Sequence, residues 1–174
     1  MFVGGEAEVK IGYTRAQARL AALAGNGWLH DASRAAYREG IRGLAESGRP
    51  GTSRGMTRLA EVHIREQGAH GALAGVALRW DAAGPGGQPF PALDADVLLG
   101  RSGAEATALT ITGVYRRPAG ISAAVCDQAT VRDIATATIE VFLGHLVWAL
   151  TAPHAAGPGR VSGEGKPPPT AKPS

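Results

Sequence analysis

The chain has 174 residues, a length typical of a single domain that buries its core without help from disulfides or metals. Hydrophobic residues make up 44% of it and charged residues 19%, and the single cysteine, Cys126, excludes an intramolecular disulfide. The formal charge is +3, but three cations and only one acid lie after residue 150, so the preceding chain is nearly neutral and does not indicate a nucleic-acid-binding surface.

Two further patterns concern the compartment in which the protein works. No run of about 18 apolar residues is present, so we expect no membrane span. The N-terminal segment, MFVGGEAEVK, lacks the basic region and apolar core of a secretory signal. We therefore expect a cytoplasmic protein.

The N-terminal part of the chain predicts one strand followed by a helix. Apolar and polar residues alternate over residues 6–13, which places one apolar set on a single strand face: Val9, Ile11 and Tyr13. Thr14 is the predicted N-cap of an alanine-rich helix that ends at Gly25-Asn26-Gly27.

A second, short helix is predicted next. Asp31 or Ser33 provides its N-cap, and the helix continues to about Leu44, although two internal glycines weaken it. Residues 46–55, rich in Gly and Ser, are predicted to form a loop.

Four more segments show the two-residue alternation that is typical of strands: 56–65, 72–81, 91–99 and 106–116. In the second of them, Trp80 shares a face with Val76 and Leu78, while Arg79 takes the opposite face. Residues 82–89, rich in Gly and Pro, are predicted to form a turn. Successive short strands joined by turns predict an antiparallel meander.

The last predicted element is a long helix over residues 127–150. Residues of one stripe recur along it at spacings of three or four: Val131, Ile134, Thr138, Phe142, His145 and Ala149. At 1.5 Å per residue a helix of this length spans roughly 36 Å, which is enough to cross a whole sheet. An apolar helix of this size needs a large concave apolar partner, which the strands can supply.

These elements predict an α+β fold of the helix-grip type. A twisted antiparallel sheet wraps around the long C-terminal helix, and two short helices follow the first strand. The predicted domain covers residues 1–150. Residues 151–174 are rich in Pro and Gly and poor in large apolar side chains, so we expect them to form a disordered tail.

The order of the elements and three short runs carry a family resemblance: Leu78–Ala82, Phe90–Val97 and Thr110–Pro118. Over residues 6–150 the chain resembles the START/SRPBCC superfamily, which includes polyketide cyclase-like proteins, and in particular its small actinobacterial members. The resemblance implies a cavity between the concave face of the sheet and the long helix, which that superfamily uses for apolar molecules such as lipids and polyketides. Some members are cyclases or aromatases and others only bind ligands, so the fold does not select a reaction.

The residues predicted to line this cavity come from the strands and the long helix: Trp80, Ile111, Tyr115, Phe142 and His145. They combine apolar surface with a few polar groups that could orient a ligand. Gly113, in the middle of a predicted strand, indicates a bulge or a place of close approach.

Asp94 and Asp96 share one strand face in this prediction. Arg79, on a neighbouring strand, is predicted to pair with one of them on the outer face of the sheet. The alternative is that one carboxylate points into the cavity, where loss of solvent suits a carboxyl group to acid–base chemistry.

We expect a module that binds a small apolar or amphipathic molecule and uses no cofactor and no metal. The five histidines show no paired-ligand spacing, and GxGxxG, Walker A, GxSxG and HExxH motifs are absent from the sequence. One alternative is an enzyme of the polyketide cyclase or aromatase type, which requires an acid or base inside the cavity. The other is a protein-interaction module whose sheet edge or tail engages a partner, including a second copy of the chain in a homodimer.

Overall fold

The computed structural model describes residues 2–46, 58–70, 73–83, 92–116 and 128–152. Within them the elements are, in chain order, β1 (Phe2–Val9), α1 (Tyr13–Gly25), α2 (Trp28–Glu46), β2 (Arg58–His70), β3 (Leu73–Ala83), β4 (Ala92–Arg101), β5 (Thr107–Arg116) and α3 (Gln128–Thr151). Most of the predicted loop at 46–55, most of the turn at 82–89 and nearly all of the tail at 151–174 lie outside the described residues.

The strands form one antiparallel sheet in the order β1-β5-β4-β3-β2. The α3 helix packs against β1 and α2, and the inner face of the sheet and the buried faces of all three helices share one core. The predicted helix-grip fold and antiparallel meander are therefore confirmed.

The strand register separates the sheet into an inner and an outer face. One inner row crosses four neighbouring strands: Val62, Trp80, Leu93 and Tyr115. The rows beside it hold buried apolar side chains such as Leu78, Val97 and Ile111. Side chains of the opposite parity face outward, so the alternation along each strand directs its apolar set into the core.

The first strand ends earlier than the alternation predicts. It stops at Val9, and Tyr13 is already the first residue of α1. Gly12 is the N-cap, so the assignment of Thr14 as N-cap was wrong. The apolar alternation continues through Ile11 and Tyr13 because both pack against the core from the turn and the helix, not from a strand.

The second helix is longer than predicted and begins sooner. It starts at Trp28 and has 19 residues, so neither Asp31 nor Ser33 is its N-cap. The chain reverses at Gly27, whose φ is 82°, and the Asn26 side-chain oxygen accepts a hydrogen bond from the Trp28 backbone N–H at 3.0 Å. An Asn-Gly pair that was interpreted as ending α1 therefore also starts α2.

The α2 and α3 helices cross with almost no space between their backbones. A Cβ added at Gly40 would lie 2.9 Å from the backbone nitrogen of Thr138 and 3.1 Å from the carbonyl carbon of Ala137. Real Cβ atoms essentially never approach backbone as closely as 2.9 Å, so a side chain at position 40 would force the two helices apart. A Cβ at Gly43, one turn later, would meet nothing within 4 Å.

The 24 residues of α3 include the whole of the predicted stripe. The buried side chains among the described residues of α3 are Val131, Ile134, Ala135, Thr138, Ile139, Phe142, Leu146 and Leu150. The stripe is thus correct as far as Phe142 and then continues through Leu146 and Leu150, not through His145 and Ala149. On the β1 side, Gly5 lets α3 lie close, since a Cβ there would be 3.2 Å from a Leu143 methyl group.

The same helix is apolar enough to cross a membrane by length and composition alone. Its segment Val131–Thr151 has a mean hydropathy of 1.5, and 39% of it is buried inside the protein. The buried stripe makes α3 the core helix of the fold, which accounts for its apolar composition. The absence of a membrane span stays a prediction.

Candidate functional site

The interior between the sheet and α3 is centred on an aromatic pair. The rings of Trp80 on β3 and Phe142 on α3 meet edge to face, with centroids 5.2 Å apart and an interplanar angle of 88°. Trp80 is 2% exposed, and Phe142 and Ile111 are 0% exposed. The structure therefore brings these three predicted lining residues together in the core.

The Trp80 indole carries a polar group into this apolar surrounding. Its Nε1–H is buried and has no hydrogen-bond partner among the described residues. An unpaired buried donor costs about 1–3 kcal/mol, so such groups in native proteins usually have a water or ligand partner. The inner face of β3 therefore presents one hydrogen-bond donor without a protein acceptor in the described part of the chain.

Tyr115 lies at the border of the interior. It is two strands from Trp80 in the same inner row, with Leu93 between them. Its partly buried ring packs against the main core and also against a smaller cluster between α2 and the start of α3, which includes Tyr37 and Val131. Tyr115 thus joins the two apolar clusters.

Gly113 does not form a bulge. The register of β5 with both neighbouring strands is continuous through this residue. A Cβ at Gly113 would lie 2.8 Å from a methyl carbon of Leu93 and 3.3 Å from the Cβ of Ala95. The space left by the missing side chain is therefore occupied by Leu93.

His145 lies apart from the aromatic pair. Its Nε2 is 3.4 Å from a carboxylate oxygen of Glu39 on α2, and its side chain is 31% exposed. The structure therefore places this predicted lining residue at the solvent-accessible seam between α2 and α3. The three-residue step from Phe142 to His145 turns the imidazole toward α2, whereas the four-residue step to Leu146 stays in the core.

The outer face of the sheet carries a network of charged side chains. Arg79 pairs with Asp94 at 3.6 Å, and Asp94 is one of the two partners predicted for it. Arg79 also pairs with Asp81 at 3.1 Å. Arg116 reaches the other carboxylate oxygen of Asp94 at 2.6 Å, and His63 lies 3.4 Å from Asp81. The hydrogen bond and the charge of Asp81, with the charge of Asp94, raise the pKa of Arg79 above its ordinary value.

The two predicted carboxylates of the sheet lie on its outer face. Asp94 and Asp96 both line an open concavity of about 570 Å³ on the outer face, beside the exposed ring of Phe2. No Asp, Glu, His, Lys or Arg side chain is among the buried side chains that the structure describes.

Sequence reasoning missed one polar group in the core. Ser33 was assigned as a cap, but it is 0% exposed on the inner face of α2 and its hydroxyl has no partner among the described residues. The residue spacing could have predicted this burial. Ser33 lies four residues after Leu29 and four before Tyr37, so the three share one face of the helix. No group of three or more residues that could hold a metal ion occurs within the described part of the chain.

Comparisons with known proteins give no matching family model and no match among curated proteins. Among solved structures, TTHA0849 from Thermus thermophilus is similar at 13% identity and a TM-score of 0.42, covering 86% of this chain and 97% of that one. The Zhui aromatase/cyclase from a Streptomyces species is similar at 16% identity and a TM-score of 0.37, covering 90% and 98%. Ara h 8.0201 is similar at 12% identity and a TM-score of 0.26, covering 84% and 97%. The fold assignment depends on this chain's own element order, strand pairing and helix packing.

Proposed function

We propose that the domain binds a small, uncharged, amphipathic molecule in the interior between the sheet and α3. The observation that carries this proposal is the buried Trp80 indole N–H, which has no acceptor among the described residues. A carbonyl or ether oxygen of a bound molecule would supply that acceptor and remove the cost of leaving the donor unpaired. The ligand is uncharged because the described interior offers no buried ionised partner for a charge.

The residues that line the proposed site are Trp80, Ile111, Phe142 and Tyr115. The first three are almost fully buried, so the ligand takes the place of part of the contact between Trp80 and Phe142. Affinity comes from apolar surface removed from water, at about 25 cal/mol per Å², and the indole fixes the orientation of the polar end. His145 lies beside Glu39 at the α2–α3 seam, so it is not among the residues proposed to contact the ligand at the aromatic pair.

A matched pair of ligands tests the role of the indole. The probes are 2-acetylnaphthalene, which carries a carbonyl, and 2-ethylnaphthalene, which has nearly the same shape without one. We expect both to raise the melting temperature and to shift the Trp80 indole resonance in a 1H–15N spectrum. Only the ketone should move the indole proton downfield, as a new hydrogen bond does, and it should bind more tightly than the hydrocarbon. Saturation at a hundredfold excess over Kd adds about 2.7 kcal/mol to the free energy of unfolding.

Two controls come from the protein itself. Trp148 is 65% exposed, so its indole resonance should not respond to either probe. The variant D94N changes a carboxylate on the outer face and should bind both probes like the parent protein, whereas W80F should lose the preference for the ketone. Failure of every apolar probe, including fatty acids and detergents, to change the melting temperature or the Trp80 resonance would refute the proposal.

A further inference from the structure

A second concavity, of about 340 Å³, lies where α1 begins. It is formed by the connection from β1 into α1, residues 10–15, and by the region around the β4–β5 turn, with Arg101 and Glu105. Arg101 is eight residues along β4 from Leu93, the strand partner of Trp80. At about 3.3 Å per residue the two places are about 26 Å apart, so this concavity is distinct from the proposed interior site.

The concavity concentrates positive charge. Its ionisable side chains, apart from the tyrosine, are Lys10, Arg15, Arg101 and Glu105. None of its three cations has an ion-pair partner among the described residues. The guanidinium carbon of Arg101 lies 4.7 Å from the centroid of the Tyr13 ring, which holds this charge at the wall of the concavity.

The backbone adds donors to the same place. The 13-residue helix α1 starts at Tyr13 with Gly12 as N-cap, and no side chain caps it. Its first turn contains no acidic residue. The first amide N–H groups of a helix have no partner within the helix, and together they carry a partial positive charge of about +0.5. A helix start of this kind is suited to bind an anion.

One of the residues that line the concavity is a buried tyrosine. Tyr13 is only 7% exposed, yet its hydroxyl has no hydrogen-bond partner among the described residues. The wall therefore combines unpaired cations with uncapped amides, and the tyrosine beside them is held in the core. The cations and the amides are donors, and Glu105 is the only opposing charge among the lining residues.

We propose that this concavity is a binding site for a phosphate monoester. Three cations and one carboxylate leave two positive charges, and the helix start adds about +0.5. A phosphate monoester carries about −1.5 to −2 at neutral pH and has three acceptor oxygens, so it matches this charge better than a carboxylate does. The site does not depend on the proposed interior ligand.

The test follows the backbone amide resonances of Tyr13, Thr14 and Arg15 during titration of the full-length protein. The probes are inorganic phosphate, glycerol 3-phosphate, acetate and vesicles that contain phosphatidic acid. We expect saturable shifts with phosphate and glycerol 3-phosphate, and binding at least about tenfold weaker in K10Q and R101Q, the loss of one charge-assisted hydrogen bond. Added salt should weaken the binding further.

The matched control is R42Q, which removes one exposed cation from α2 and should leave the affinity unchanged. R15Q serves as an additional variant because Arg15 is exposed and its loss does not disturb the Tyr13 ring contact. Response to vesicles alone supports a lipid headgroup as the source of the phosphate, and response to glycerol 3-phosphate supports a free ester. Equal binding of acetate and phosphate, equal affinity in R42Q and K10Q, or no saturable shift with any probe would overturn the proposal.

Discussion

Ser33 on α2 carries a hydroxyl that is fully buried and has no hydrogen-bond partner among the described residues. An unpaired buried polar group costs about 1–3 kcal/mol, and Ala is a better helix former than Ser. We expect S33A to raise the free energy of unfolding by about 1 kcal/mol or more, measured by urea denaturation.

The matched control for Ser33 is Thr138 on α3, a buried hydroxyl that does have a partner. It donates a hydrogen bond to the Ile134 carbonyl at 2.6 Å. The variant T138V keeps the shape of the side chain and deletes a satisfied group, so it should lower stability or leave it unchanged. If S33A is destabilising and T138V is not, then the Ser33 hydroxyl has a partner in solution.

The crossing of α2 and α3 can be tested with two glycines of one helix. Alanine at position 40 would press against the backbone of α3, and overpacking of this kind costs about 1–3 kcal/mol. Alanine at position 43 meets open space and gains up to about 1 kcal/mol of helix propensity. We therefore expect G40A to lower the melting temperature and G43A to raise it.

Comparing the two variants removes the propensity effect, since both replace a helical glycine by alanine. The difference between their melting temperatures therefore measures the close approach of the two helices. Equal stability of G40A and G43A would show that the crossing has room for a methyl group at position 40.

The sequence could predict the strands because each buries one face, and the two-residue alternation records which face that is. It could not predict where β1 ends, since Ile11 and Tyr13 remain apolar for packing from a turn and a helix. For the same reason the stripe of α3 was correct only as far as Phe142. Beyond that point, whether His145 or Leu146 faces the core depends on the position of α2. The residue spacing along α3 alone does not give that position.

The candidate site was accessible from the sequence in part. Parity along β3 predicted that Trp80 is buried and that Arg79 faces outward, and the structure confirms both. Whether a buried indole N–H has a hydrogen-bond acceptor depends on atoms from several elements. The residue pattern of one strand therefore cannot predict it. The basic concavity was not predicted because Lys10 and Arg15 lie about ninety residues before Arg101 in the chain and meet it only where β1 leads into α1 beside the end of β4.

All of the described secondary structure of the domain ends by Thr151. The predicted domain boundary at residue 150 assigns the remaining segment, which is rich in Pro and Gly, no part in the folded core. We expect a chain truncated after Ala152 to have the same melting temperature as the full-length protein. The predicted domain boundary at residue 150 would be wrong if truncation lowered it by several degrees.

Size-exclusion chromatography of the same two proteins tests the oligomeric state. A dimer that persists after truncation would depend on the folded domain, for example on a sheet edge at β1 or β2. A dimer that is lost on truncation would assign the contact to the tail. The alternative of a protein-interaction module gains support only if one of these dimers is observed.

The pairing of β1 with β5 has a consequence for how the protein acquires its shape during synthesis. The β1 strand is synthesised before its partner, which lies about a hundred residues further along the chain, so the hydrogen-bonding edge of β1 is unpaired until β5 has been made. Closing so long a loop is slow compared with forming the α1–α2 hairpin. We therefore expect nascent chains that stop before Thr107 to expose β1 to proteases and chaperones, and release of the complete chain to abolish that sensitivity.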